Sequence, residues 1–248
     1  MEVLKFNLKG DFAFFKIPNF NIFNLTYDHI PKPALLGMFG AICGYKGYRG
    51  CTEKDTSLEY MEKLKDIEVS IEPKVPVFLR HIQTFNNSSG CASKTDKIEN
   101  LVTTVQLLQN VEWNIYIKNN NSASYELLKH NLINYKAKYM PYLGNNSYLA
   151  KISQVEVING EGVTEIDFIC KSLIIKNVLR AKKSTSVLER ALIRNSNFYE
   201  YHFNIPVGLD NNLLYEDNEF ILTNIKVNIG EDSRKLFLRV RDKNLFFY

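Results

Sequence analysis

Apolar and polar residues alternate from the first positions. Met1-Glu-Val-Leu-Lys-Phe-Asn-Leu-Lys9 has the period of a strand, predicted over Glu2 to Lys9. Gly10 and Asp11 interrupt it, and Phe12 to Ile17 continue it. Pro18 to Pro31 has no period and is rich in Asn and Phe. Pro33 then stands where a first helical turn accepts proline, so Ala34-Leu-Leu-Gly-Met-Phe-Gly-Ala-Ile-Cys43 predicts a helix that stops near Gly44. Thr56 to Lys65 reads as a second, short helix, and Ile67–Glu72 and Val75–Gln83 as strands. After a polar stretch, Leu101–Leu108 and Val111–Lys118 are β-like. A helix over Tyr125–Tyr135, capped by Ser122 or Ser124, and a strand over Tyr148–Ile158 follow.

This order, β-α-β-β-α-β, predicts an α+β chain with a ferredoxin-like domain of the RNA-recognition type over residues 1–158. The polar segment Thr84 to Lys97 separates two strand-like runs, which suits the tip of a long hairpin spanning about 80–104; a disordered surface loop has the same composition. Asn159-Gly-Glu-Gly162 marks the clearest boundary. Beyond it, Thr164–Cys170, Tyr199–Ile205, Phe220–Ile229, Lys235–Val240 and Leu245–Tyr248 predict a smaller β-rich C-terminal domain over 159–248. Within the first helix, Gly37, Gly40 and Gly44 fall on one face. Each interior glycine costs on the order of 1 kcal/mol against alanine, so something must approach that face closely: a packed sheet, or a nucleic-acid backbone near the helix end.

Charge adds a little. Lys and Arg number 31 against 27 Asp and Glu, for a net charge of +4 in 248 residues, which permits nucleic-acid contact without requiring it. The distribution is uneven. Lys171, Lys176, Arg180, Lys182, Lys183, Arg190 and Arg194 face only Glu189 within their stretch, whereas Glu200 to Glu219 holds no Lys or Arg. A basic patch and a solvated helix face fit that run equally well. The apolar run Ala34 to Gly44 falls short of the roughly 20 residues that span a bilayer, and the first residues lack a signal-peptide core, so a cytoplasmic protein without membrane contact is expected. Cys43, Cys51, Cys91 and Cys170 form no C-x-x-C pair, and no histidine stands at zinc-ligand spacing from them; reduced thiols, no metal and no cofactor are expected. Phosphate-loop, dinucleotide, zincin and nucleophile-elbow motifs are missing. His29, His81, His130 and His202 are candidates for acid–base work, although a surface or satisfied histidine is the commoner case.

Three segments together carry a resemblance. They are Gly10-Asp-Phe-Ala-Phe-Phe-Lys-Ile-Pro18 with Pro31-Lys-Pro-Ala-Leu-Leu-Gly-Met-Phe-Gly-Ala-Ile-Cys-Gly44; Thr103-Thr-Val-Gln-Leu-Leu-Gln-Asn-Val-Glu-Trp-Asn-Ile-Tyr-Ile117; and Met140-Pro-Tyr-Leu-Gly-Asn-Asn-Ser-Tyr148. In order and spacing the chain resembles the CRISPR-associated Cas-five family of the RAMP superfamily, with a length and β-rich tail closest to the type I-B form. The resemblance implies a non-catalytic Cascade subunit whose hairpin acts as a thumb on the 5′ handle of the crRNA. It also implies contact with a Cas-seven backbone subunit and the large Cascade subunit, and with target DNA only through the complex. Single-stranded RNA is held by aromatic stacking and by Lys and Arg on phosphates. Tyr45, Tyr48 and Phe85 are then candidates for stacking, and Lys16, Lys46, Arg49, Arg80, Lys94 and Lys97 for phosphate contact, with His81 beside them. Phe12 and Phe14 read as core.

A rival reading comes from type I-C systems, where a relative is itself a metal-independent endoribonuclease using Tyr, Lys and His. Tyr45 (or Tyr48), Lys129 and His130 are the matching candidates here, although Lys-His on a polar helix face is usually a solvated pair.

Overall fold

The computed structural model describes residues 1–20, 23–47, 58–88, 100–180, 198–210 and 212–248. Its central strand is β1 (Glu2–Ala13), antiparallel to β5 (Asn100–Lys118) on one side and to β6 (Lys151–Gly162) on the other. The far edge of β5 takes β3 (Val69–Pro73) and β4 (Leu79–Ser88) in succession, while β2 (Phe23–Asn24) adds a short parallel contact to β5. With α1 (Lys32–Cys43) between β1 and β3, and α3 (Ala123–Ile133) between β5 and β6, this is the ferredoxin-like order with its second strand split in two.

Alternation decides which face is which. Leu4, Phe6 and Leu8 of β1, with Val111, Trp113, Ile115 and Ile117 of β5, are buried on the helix side against Leu35, Leu36, Phe39 and Leu128. The intervening residues face the opposite side. The expected break at Gly10 and Asp11 does not occur, since β1 runs on to Ala13. Leu101–Leu108 and Val111–Lys118, expected as separate strands, form one strand. Asn110 absorbs the irregularity at φ 53°, a left-handed conformation that Asn tolerates better than most residues.

The glycine face of α1 has a specific neighbour. A Cβ on Gly40 would stand 2.6 Å from the Cβ of Tyr60 in α2 (Glu59–Leu64), so Gly40, with Gly37 beside the same ring, seats a second helix rather than the sheet, whereas Gly44 faces Lys138. Gly44 ends α1 at φ 85°, donating its N–H to the Gly40 carbonyl at 2.8 Å. For α3 the cap is Ser122, which accepts the Tyr125 N–H at 3.1 Å.

At Asn159–Gly162 the structure shows no linker. β6 continues through Gly162 and pairs with β12 (Phe237–Val240), which pairs in turn with β13 (Lys243–Phe246). Just past β13, Tyr248 and Val69 of β3 exchange both backbone hydrogen bonds at 3.1 Å, so the sheet curls until its two ends meet. Val3 and Tyr116 pack with Leu238, Val240, Leu245 and Phe247 on the side away from the helices. A separate sheet of β8 (Ile174–Ile175), β10 (Tyr215–Thr223) and β9 (Glu200–Leu209) sends Phe203, Ile205, Phe220 and Leu222 into the same core as β1 and α1. A last pair joins β7 (Asp167–Phe168) to β11 (Val227–Asn228).

Candidate nucleic-acid interface

β4 and the first half of β5 form a two-stranded ribbon, paired from Leu79↔Gln109 to Ser88↔Asn100. Every β4 side chain from Leu79 to Asn86 is exposed, including Leu79 (67%), Ile82 (59%) and Phe85 (45%), and Val102 opposite them is 59% exposed. Leu79, Ile82 and Phe85 are three positions apart, and in a strand that spacing alternates faces. The ribbon therefore presents apolar side chains on both sides. Past Thr104, where β2 pairs, only β4 and β5 remain paired, and exposed apolar side chains on such a ribbon mark a candidate interaction surface.

At the base of this ribbon an aromatic row runs across the sheet. The His81 ring lies 5.7 Å from that of Phe12, which is 6.2 Å from Tyr148. Phe12, expected in the core, is only half-buried and belongs to this row. Arg80 is exposed, forms an ion pair with Asp28 and donates to the Gln106 side chain at 3.5 Å. Lys16 is exposed nearby, its backbone bridged to Thr26. The Pro141–Ser147 turn is locked onto the end of β1: Phe14 donates its N–H to the Leu143 carbonyl at 3.0 Å, and Leu143 is fully buried. Leu143 lies over Gly10, where a Cβ would stand 2.4 Å from its Cδ1, and Gly144 at φ 81° lies so close to Phe14 that a Cβ would be 1.9 Å from that carbonyl oxygen. Gly10 and Gly144 are thus required by close approach.

The helix-end candidates stand elsewhere. Tyr45 donates its hydroxyl to Ser124 Oγ at 3.1 Å, and the Lys46 N–H donates to Glu59 at 2.7 Å. Ser124 lies in the first turn of α3, which follows the Lys118 end of β5, whereas Phe85 is opposite Thr103. The strand from Thr103 to Lys118 has a contour of about 50 Å. Arg80, His81 and Phe85 are thus gathered on the ribbon, and Tyr45 and Lys46 are not among them. Tyr48, Arg49, Lys94 and Lys97, and the basic residues from Lys182 to Arg194, lie outside the described residues.

Tyr45, Lys129 and His130 all touch or belong to α3 but face different ways. Tyr45 bonds the Ser124 side, and Lys129 turns to Glu2 at 2.8 Å, where the Tyr125 hydroxyl also donates at 3.1 Å. His130 is exposed beside Asn134. At 100° per residue, positions 124, 129 and 130 lie on three separate sides of the helix. The other histidines are placed as differently. His29 is fully buried, accepts the Trp113 indole N–H at 3.4 Å and is pushed by desolvation down to about 3, so it is neutral. His202 lies between Glu219 and Glu200 at 2.8 and 3.3 Å, and the hydrogen bond to Glu219 raises its pKa. Among the described residues no group of three or more His, Cys, Asp or Glu could hold a metal ion, and no helix is long and apolar enough to cross a membrane.

Sequence reasoning missed Leu79, Ile82 and Val102 as parts of the surface. The available signal was the three-residue spacing of Leu79, Ile82 and Phe85, which in a strand puts apolar residues on both faces.

The family model described as CRISPR-associated protein (Cas_Cas5) matches residues 3–201, from β1 into β9. The chain belongs to this CRISPR-associated family. No curated protein matches it significantly. Among solved structures, a chain of a "CRISPR RNA-guided surveillance complex" is similar at 12% identity and a TM-score of 0.54, over 93% of this chain and 95% of that one. A CRISPR protein from Archaeoglobus fulgidus is similar at 9% identity and a TM-score of 0.50, over 99% of this chain and 98% of its own. At such identities the two likenesses speak for the Cas_Cas5 fold, a mixed α+β sheet that curls on itself.

Proposed function

We propose that this Cas_Cas5 family member is a non-catalytic subunit of a type I CRISPR surveillance complex, gripping the 5′ handle of the guide RNA with the β4–β5 ribbon. The observation that carries the reading is the ribbon itself: exposed apolar side chains on both faces, with Arg80 and the His81–Phe12–Tyr148 row at its base. Splayed bases stack on such rings and phosphates pair with such cations, while the opposite face of the ribbon remains for a neighbouring backbone subunit. Separation of Tyr45, Lys129 and His130 onto three sides of α3 favours binding over cleavage. General acid–base chemistry needs its groups within hydrogen-bond reach of one substrate.

The test uses purified protein, a chelator and labelled cognate repeat RNA. The 5′-handle fragment is expected to bind without being cut, and Phe85→Ala to weaken binding by about 5- to 100-fold, the range for losing one stacked base. Cleavage at the handle boundary that disappears in His130→Ala would instead identify a processing nuclease.

A further inference from the structure

A second surface lies where α1, α3 and the start of β6 meet. From Leu127 to Val155 the chain carries four lysines, one histidine and four tyrosines, and no Asp or Glu. Lys129 and Lys151 are neutralised within the fold by Glu2 and Asp11. No carboxylate among the described residues forms an ion pair with Lys136 or Lys138. Around these two lysines Tyr135, Tyr139, Met140, Tyr142 and Leu149 are all exposed, and Tyr142 and Leu149 are bridged partners. Beside Tyr135 and Lys136 opens a cavity of about 180 Å³, lined also by Ile42, Leu132, Ala137, Pro141, Ala150 and Ile152. The loop bearing the lysines is held in place: Lys138 and Tyr139 donate their N–H groups to the Ile42 and Ala41 carbonyls at 3.1 and 3.0 Å.

The geometry points to a docking site for a protein partner: an acidic segment that seats one bulky apolar side chain in this cavity and lays its carboxylates on Lys136 and Lys138. A cavity of roughly 150 Å³ holds a benzene ring, so this one fits a leucine or phenylalanine side chain. Exposed Tyr and Met around a pocket are what protein interfaces enrich, and a pocketed anchor is where their binding energy concentrates. A nucleic-acid base is the poorer occupant. The cavity walls are mostly carbon and the Asn131 amide is already donated to the Ile42 carbonyl at 3.2 Å, so a buried base edge loses more hydrogen bonds than it regains. The assignment uses none of Arg80, His81 and Phe85, and if the guide-RNA reading holds, the partner is another protein of the same complex.

The experiment uses the full chain and two labelled acidic peptides of about ten residues, one with a single central phenylalanine and one with alanine in its place. The phenylalanine peptide is expected to bind tenfold tighter or more, roughly the effect of burying one large side chain. Filling the exposed rim with Ala137→Phe should erase that preference. Reversing charge with Lys136→Glu and Lys138→Glu should weaken both peptides about tenfold and flatten their salt dependence. Urea unfolding of the same samples reports folding, and handle-RNA binding by wild type and Phe85→Ala reports the ribbon, so a failed guide-RNA reading leaves the peptide result readable. Equal affinity for the two peptides overturns the docking site. So does loss of RNA rather than peptide binding in both variants, which assigns the surface to nucleic acid.

Discussion

The two halves of β5 differ in how completely they are enclosed. From Val111 to Lys118 the strand is enclosed: Val111, Trp113, Ile115 and Ile117 are fully buried against the helices, and Asn114 and Tyr116 are buried on the other face. Those two donate to one Glu72 oxygen at 2.8 Å each, while Lys243 of β13 bonds the other at 2.6 Å. In the half that pairs with β4, Val105, Leu107 and Leu108 are still buried, but Val102 is exposed, as are Leu79, Ile82 and Phe85 on the partner strand. Composition does not separate the halves, since both are β-branched and apolar. Neighbours do. One half is completed by its own chain and carries stability; the β4 side of the other keeps apolar side chains exposed and is the surface proposed to bind RNA.

The largest effect expected from this division is on unfolding. The Trp113 ring lies 5.0 Å from that of Phe78 and 6.3 Å from that of Phe15. Trp113→Ala should therefore cost about 3–5 kcal/mol in urea unfolding, whereas Ile82→Ser on the ribbon should stay within about 0.5 kcal/mol. Comparable losses for both variants would make the ribbon part of the core and end the comparison.

Glu72 offers a smaller and more specific probe. Burial alone would push its carboxyl up, but hydrogen bonds from Lys243, Asn114 and Tyr116, with the Lys243 charge, outweigh it and hold the pKa below the ordinary 4.5. A carboxylate depressed in this way stabilises the fold fully above its unfolded pKa, and that contribution is lost as pH falls through the folded value. Glu72→Gln should lower stability by about 2 kcal/mol at pH 7, an estimate for charge-assisted hydrogen bonds on a partly buried pair. The gap to wild type should then begin to close as pH falls below 4.5 and go on closing through the lower folded value. A gap independent of pH means that the side chain contributes shape rather than charge.

Much of the fold was legible because local rules set it. Alternation placed β1, β3 and the second half of β5, and Pro33 with Gly44 bracketed α1. Positions where local and non-local demands look alike were not legible. Gln109-Asn110 has the composition of a turn, yet Asn110 can take a positive φ inside a continuous strand. Asn159–Gly162 reads as a boundary, but β12 pairs with this glycine-bearing end of β6, where a Cβ on Gly160 would stand 3.2 Å from Val240 Cγ2. Closure of the sheet through Tyr248 and Val69 pairs residues far apart in the chain, which no local period encodes. The site divides in the same way. Of the candidate residues, Arg80, His81 and Phe85 stand on the expected hairpin, whereas Tyr45 is drawn to Ser124 by tertiary packing.

The finest distinction concerns Arg80, which stands where the enclosed and open halves meet. Its ion pair with Asp28 is exposed, and pairs of that kind contribute about 0–1 kcal/mol, so Arg80→Ala should barely change stability. If the guanidinium also reaches a phosphate, the same variant should reduce the salt slope of handle-RNA binding by about one. Asp28→Asn should act in the opposite sense, freeing the cation and tightening RNA binding severalfold at low salt, with little gain at high salt where charges are screened. Opposite responses from the two partners identify Arg80 as a phosphate contact that Asp28 holds in reserve. If neither variant moves the slope, Arg80 is a brace for the ribbon and not a phosphate contact.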